Sequence, residues 1–180
     1  MFSSYSGVVL VVGGSGITYG LSVIKDLVQK DLLGQSRVKT LELVWCVQDA
    51  AALVPLIPVL TSLIRQSSPT TNSHSYTSLK VSVFYTRAPI GKFPFPEDFF
   101  LPYHPKLTLS PGRPKIGQIV EGVMGKIVRL GSGVKDNEKV TGVAVSVCGP
   151  MEMADEVSAE VGKLDEGRRD RVGGVEVIEE

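Results

Sequence analysis

Apolar residues recur along the chain in two alternating rhythms. Residues 8–12 (VVLVV) are an unbroken, mostly β-branched run closed by Gly13 and Gly14, which predicts a short strand buried on both faces. Residues 17–30 then carry Leu21, Ile24, Leu27 and Val28 at the three- and four-residue spacing of a helix. Gly34 lies just past its end, where a helix cap belongs. Residues 40–47 predict a second strand. Residues 50–65 predict a second helix, bent at Pro55 and Pro58 because proline cannot donate to the preceding turn.

A Ser-, Thr- and Asn-rich loop at 66–78 leads to a third strand at 79–85. The next stretch, 88–115, holds Pro89, Pro94, Pro96, Pro102, Pro105, Pro111 and Pro114. That density predicts an ordered surface excursion with no regular element. Beyond it come a helix at 116–130, weakened by Gly117, Gly122 and Gly125, and a polar loop at 131–139. A fourth strand at 142–147 follows, then an amphipathic helix at 151–163, a charged loop at 165–169 and a fifth strand at 175–178. Alternation of this kind predicts one α/β domain over residues 1–180: a five-stranded parallel sheet with helices on both faces. Ligands of such sheets bind beyond the carboxyl ends of the strands.

Composition narrows the function. Lys plus Arg and Asp plus Glu are both 19, so the net charge is zero and nucleic acid is not an expected partner. The two cysteines, Cys46 and Cys148, stand alone in apolar runs, and His74 and His104 are isolated in loop-like sequence. Neither a zinc site nor a disulfide framework is expected, and a reducing compartment fits. The longest apolar stretch, 50–60, is too short to span a bilayer and is broken by two prolines, and no secretory leader precedes residue 8.

Four segments carry candidate chemistry, most of them at a strand end and one, Gly112-Arg113-Pro114, within the proline-rich stretch. Gly13-Gly14-Ser15-Gly16-Ile17-Thr18 joins a strand to a helix. Glycines there let the backbone turn and a phosphate approach, and the positive helix end attracts the anion. Alone, this is either a phosphate cradle or an unliganded turn; it is neither GxGxxG, since position 19 is Tyr, nor a Walker A loop. Thr86-Arg87 ends the third strand, where a guanidinium and a hydroxyl suit a terminal phosphate, or Arg87 is simply solvated. Gly112-Arg113-Pro114 offers a second Arg. Cys148-Gly149-Pro150 ends the fourth strand, where a small polarizable side chain next to glycine either meets a flat ring or packs quietly before a turn. Nothing pairs either histidine with a nucleophile.

In order and spacing, VVLVVGGSGIT (8–18), LVWCVQD (43–49), VFYTR (83–87), GRP (112–114) and VCGP (147–150) resemble the C-terminal NAD(P)-binding domain of the ferric reductase and NADPH oxidase family. That family lies within the wider ferredoxin-NADP reductase group. The resemblance runs from about residue 5 to residue 178 and is strongest to the fungal ferric or cupric reductase branch. It implies an oxidoreductase module that binds NADPH, with NADH possible, and delivers hydride to FAD. The FAD is held by a separate domain, and haems in a membrane domain pass electrons on to metal ions or oxygen. By the same resemblance Gly13, Gly14, Ser15, Gly16, Ile17 and Thr18 would cradle the pyrophosphate. Thr86 and Arg87 would hold the 2′-phosphate, and Arg113 would assist at the adenosine. Cys148, Gly149 and Pro150 would lie at the nicotinamide, with Cys148 as the catalytic position.

Three departures qualify this. Gln48 stands where many relatives carry a phosphate-binding Arg, and Asp49 beside it suits an unphosphorylated ribose. The sequence stops at Glu179-Glu180, before the aromatic residue that relatives place near the flavin. The flavin barrel and membrane helices are also not in these 180 residues. The chain by itself is therefore expected to be inactive: either one part of a membrane reductase, on its cytosolic side, or a stand-alone cytosolic nucleotide-binding protein without catalysis. A scaffold that kept the fold and lost the ligand is the other alternative.

Overall fold

The computed structural model describes residues 1–67, 77–87, 105–131 and 140–180. Its elements are β1 (Gly7–Gly13), α1 (Ile17–Leu32), β2 (Thr40–Val47), α2 (Ile57–Gln66), β3 (Ser78–Tyr85), β4 (Leu107–Pro111), α3 (Ile116–Gly131), β5 (Val143–Cys148), α4 (Met151–Gly162), α5 (Glu166–Arg171) and β6 (Val175–Glu179). All strand pairs are parallel, in the order β4-β3-β2-β1-β5-β6.

The uninterrupted apolar run of β1 follows from its central place. Val8, Leu10 and Val12 face a layer built on Ile24 and Leu27 of α1 and on Leu60 and Ile64 of α2. Val9 and Val11 face the opposite layer, with Val120, Val123 and Ile127 of α3 and Val157 and Val161 of α4. Both faces of the strand are dry, so every position from Val8 to Val12 is apolar. The chain then leaves α1 through Gly34, whose φ of 68° lets the last carbonyls of the helix be capped by Gly34 and Gln35 N–H groups.

Three expectations need correction. The sheet has six strands among the described residues, not five, because β4 lies within the proline-rich stretch read as irregular. It pairs with β3 from Val81↔Leu107 to Tyr85↔Pro111 and forms the sheet edge. An edge strand bonds on one side only, so a proline at its last position removes no bond the sheet needs. The charged segment read as a loop holds α5, started by the Asp165 carboxylate accepting from the Arg168 N–H at 2.9 Å. That helix buries none of its residues, so no apolar spacing marks it. Finally, the bend expected at Pro55 and Pro58 is a change of helix type. A 3₁₀ segment, Ala50–Leu56, contains Pro55, and Pro58 stands in the first turn of α2, where its missing N–H costs nothing. The loop readings at 68–76, 88–104 and 132–139, including His74 and His104, lie outside the described residues.

Candidate functional site

Strand order turns at β1. From there β2, β3 and β4 run outward on one side, while β5 and β6 lie on the other. The helix after β1 packs on one face of the sheet and the helix after β5 on the other, which opens a crevice beyond the two strand ends. Those ends are level: Gly13 stands opposite Cys46 of β2, and Val12 opposite Cys148 of β5.

A cleft of about 1200 Å³ fills this crevice. Gly13, Gly14, Ser15, Gly16 and Thr18 line it from the turn after β1, and Trp45 to Asp49 from the end of β2. Thr86 lines it from just past the end of β3, Arg113 from the turn after β4, Cys148 from the end of β5, and Gly149 and Pro150 from the turn that follows. Of the residues singled out in the sequence, two do not line it. The Ile17 side chain is buried in the core, under the α1 and α2 layer. Arg87, one residue beyond Thr86, is exposed, and its backbone N–H donates to the Gln48 carbonyl at 2.8 Å.

The turn after β1 is a 3₁₀ segment, Gly14–Gly16, running directly into α1. No side chain caps either segment, and the first turn of α1 has no acidic residue. The end of this helix therefore keeps the positive polarity that attracts an anion. Its glycines serve different needs. Gly14 has φ of 49° with open space on its Cβ side, so it makes the turn. Gly16 has ordinary helical angles, but a methyl there would lie 2.5 Å from the Cys148 carbonyl oxygen. A methyl on Gly13 would lie 2.9 Å from Met153 Cε, and one on Gly149 3.0 Å from Met153 Sδ. The β1 and β5 turns thus pack directly on one another and on the Met153 thioether.

Charges in the cleft are mixed. Arg113 is steered in by Gly112, whose φ is 91° and whose N–H donates to the Tyr85 carbonyl at 2.9 Å. Its guanidinium sits 3.6 Å from Glu156 of α4, but is 79% exposed, so the pair is loose. Asp49 Oδ1 accepts from the Ala51 N–H at 2.9 Å and so starts the 3₁₀ segment that follows. Burial pushes the Cys46 thiol up to about 11; Glu156 adds to this and Arg113 opposes it. Tyr19 shares a hydrogen bond of 2.8 Å with buried Ser146, and burial raises its phenol above the usual value.

Trp45, Tyr19, Met153 and Glu156 line the cleft but are not singled out by their sequence. Trp45 alone carried a signal: it is the single tryptophan, placed in an otherwise aliphatic strand end.

An α/β sheet with a glycine turn and a cleft at its switch point is the architecture shared by nucleotide-binding domains. The match is more specific than the fold: the chain belongs to the ferric reductase NAD binding domain family, whose model matches residues 5–162. This is an oxidoreductase NAD-binding domain. No curated protein matches the chain significantly. Among the described residues no helix is long and apolar enough to cross a membrane.

Proposed function

We propose that the cleft binds NADPH and presents its nicotinamide to an FAD held by a separate domain, as one step of a ferric-reductase-type electron transfer. The supporting observation is that the uncapped glycine turn, Thr86, Arg113 and the Cys148-Gly149 turn all line one cleft at the switch point. Bound there, the dinucleotide supplies the hydride.

The chain's own work is positional. Gly14, Ser15, Gly16 and Thr18 receive the pyrophosphate at the start of α1. Thr86 and Arg87 receive the 2′-phosphate, Arg87 by closing in from the exposed position next to Thr86. Arg113 serves the adenosine side once a phosphate replaces Glu156 as its partner. Cys148 and Gly149 border the nicotinamide. In the complete enzyme the flavin domain and a haem-bearing membrane domain lie downstream in the electron path, with a metal ion or oxygen as final acceptor and this domain on the cytosolic side.

Calorimetry with NADP⁺ and NAD⁺ on the chain and on Arg87→Ala tests this reading. NADP⁺ should bind with a Kd on the order of micromolar. Arg87→Ala should weaken it by roughly ten- to a hundred-fold, since a charge-assisted hydrogen bond contributes about 1.5–3 kcal/mol, and leave NAD⁺ unchanged. A folded chain that binds neither dinucleotide contradicts the reading.

A further inference from the structure

The glycine turn is held in place by a side chain from another strand. Trp45, on β2, is 3% exposed, and its indole N–H donates to the Gly14 carbonyl at 3.0 Å. That carbonyl also accepts the Ile17 N–H, which closes the 3₁₀ segment. A buried indole N–H needs an acceptor, and a carbonyl oxygen has two lone pairs, so both groups are satisfied by this arrangement.

The consequence concerns the next peptide. In a trans peptide the C=O and N–H point in opposite directions. Fixing the Gly14 oxygen toward Trp45 therefore fixes the Ser15 N–H away from it. Glycine at 14 gives the chain freedom to rotate this peptide: its φ is 49°, and nothing lies within 4 Å of where its side chain would be. Rotation would exchange an amide donor for a carbonyl oxygen, turning an attractive dipole into a repulsive one for an anion.

Resting on the reading of the cleft as a dinucleotide site, we infer that Trp45 is a positioning residue. Its indole N–H locks the Gly14–Ser15 peptide in the orientation that binds the pyrophosphate. It acts through the backbone of the turn and need not touch the cofactor.

The test compares two ligands on the full chain. NADP⁺ carries the pyrophosphate, whereas adenosine 2′-phosphate carries only the phosphate expected at Thr86 and Arg87. Trp45→Phe should raise the Kd of NADP⁺ by about ten-fold, the size of one hydrogen bond to a charged group, and leave that of adenosine 2′-phosphate unchanged. Because the aromatic volume also changes, the same titrations are run with the single tryptophan replaced by benzothienylalanine, which keeps the ring shape and lacks the N–H. It should lose NADP⁺ affinity to the same degree, with a melting temperature lowered by no more than the few degrees that one buried hydrogen bond contributes. If NADP⁺ binds the benzothienylalanine protein as tightly as the parent chain, or if both ligands weaken equally, the inference is overturned. If the parent chain binds adenosine 2′-phosphate but not NADP⁺, the inference fails while the 2′-phosphate site stands. If it binds neither, the dinucleotide reading itself fails and takes the inference with it.

Discussion

Gly16 and Cys148 touch backbone to backbone: a methyl group on Gly16 would lie 2.5 Å from the Cys148 carbonyl oxygen and 3.3 Å from its Sγ. The turn proposed to hold the pyrophosphate and the turn proposed to border the nicotinamide are therefore one packed unit. A shift in either moves the other.

Gly16→Ala should accordingly lower stability by about 1–3 kcal/mol, the usual cost of forcing bulk into a closed contact, and weaken NADP⁺ binding with it. Gly14→Ala meets no atom but must keep φ at 49°, a cost of about 1–2 kcal/mol. Asparagine separates the two causes, because it tolerates the left-handed region: Gly14→Asn should melt close to the parent chain and Gly16→Asn well below it. A parent-like melting curve for Gly16→Ala would show that the contact yields without strain.

Glu156 lies 3.6 Å from the Arg113 guanidinium in a loose pair and adds negative charge to the cleft. Glu156→Gln should tighten NADP⁺ binding about two- to five-fold at low salt, and less as salt rises, because the pair is solvent-exposed and readily screened. An affinity that stays the same at low ionic strength would remove Arg113 from the site.

Burial lifts the Cys46 thiol to about 11, so the thiolate is scarce at neutral pH. In a Cys148→Ser chain, alkylation of Cys46 by iodoacetamide should be slow near neutrality and climb until the pH reaches about 11. Glu156→Gln should move the profile to lower pH, since Glu156 contributes to the rise. A profile that inflects near the ordinary thiol value of 9.0 would mean Cys46 is open to water.

Much of this was legible in the sequence where one local rule decides the outcome. An all-apolar β1 means a strand covered on both faces, and a glycine cluster between it and an amphipathic helix means a βα turn; both readings hold. What escaped depends on neighbours far along the chain. Strand β4 was hidden by its prolines, which only an edge position tolerates, and position in the sheet is not a local property. Helix α5 buries nothing and is defined by the Asp165 cap. At the site, local sequence points to Gly13 and Gly16 as space for a phosphate and to Gly149 as space beside a flat ring, but not to the packing of all three against Met153 and Cys148, which are distant in sequence from the β1 turn. Arg113 could be singled out by its type, whereas Glu156, its partner from α4, has the composition of any exposed helix position.

The most direct test of the central claim uses Trp45, the single tryptophan, which lines the cleft. The chain is titrated with NADPH while tryptophan is excited and both its emission and that of the reduced nicotinamide are followed. Binding in this cleft should quench Trp45 saturably and raise nicotinamide emission in step, and NADP⁺ should reverse the transfer by competition. Unchanged tryptophan emission from a folded chain at saturating NADPH would contradict the account.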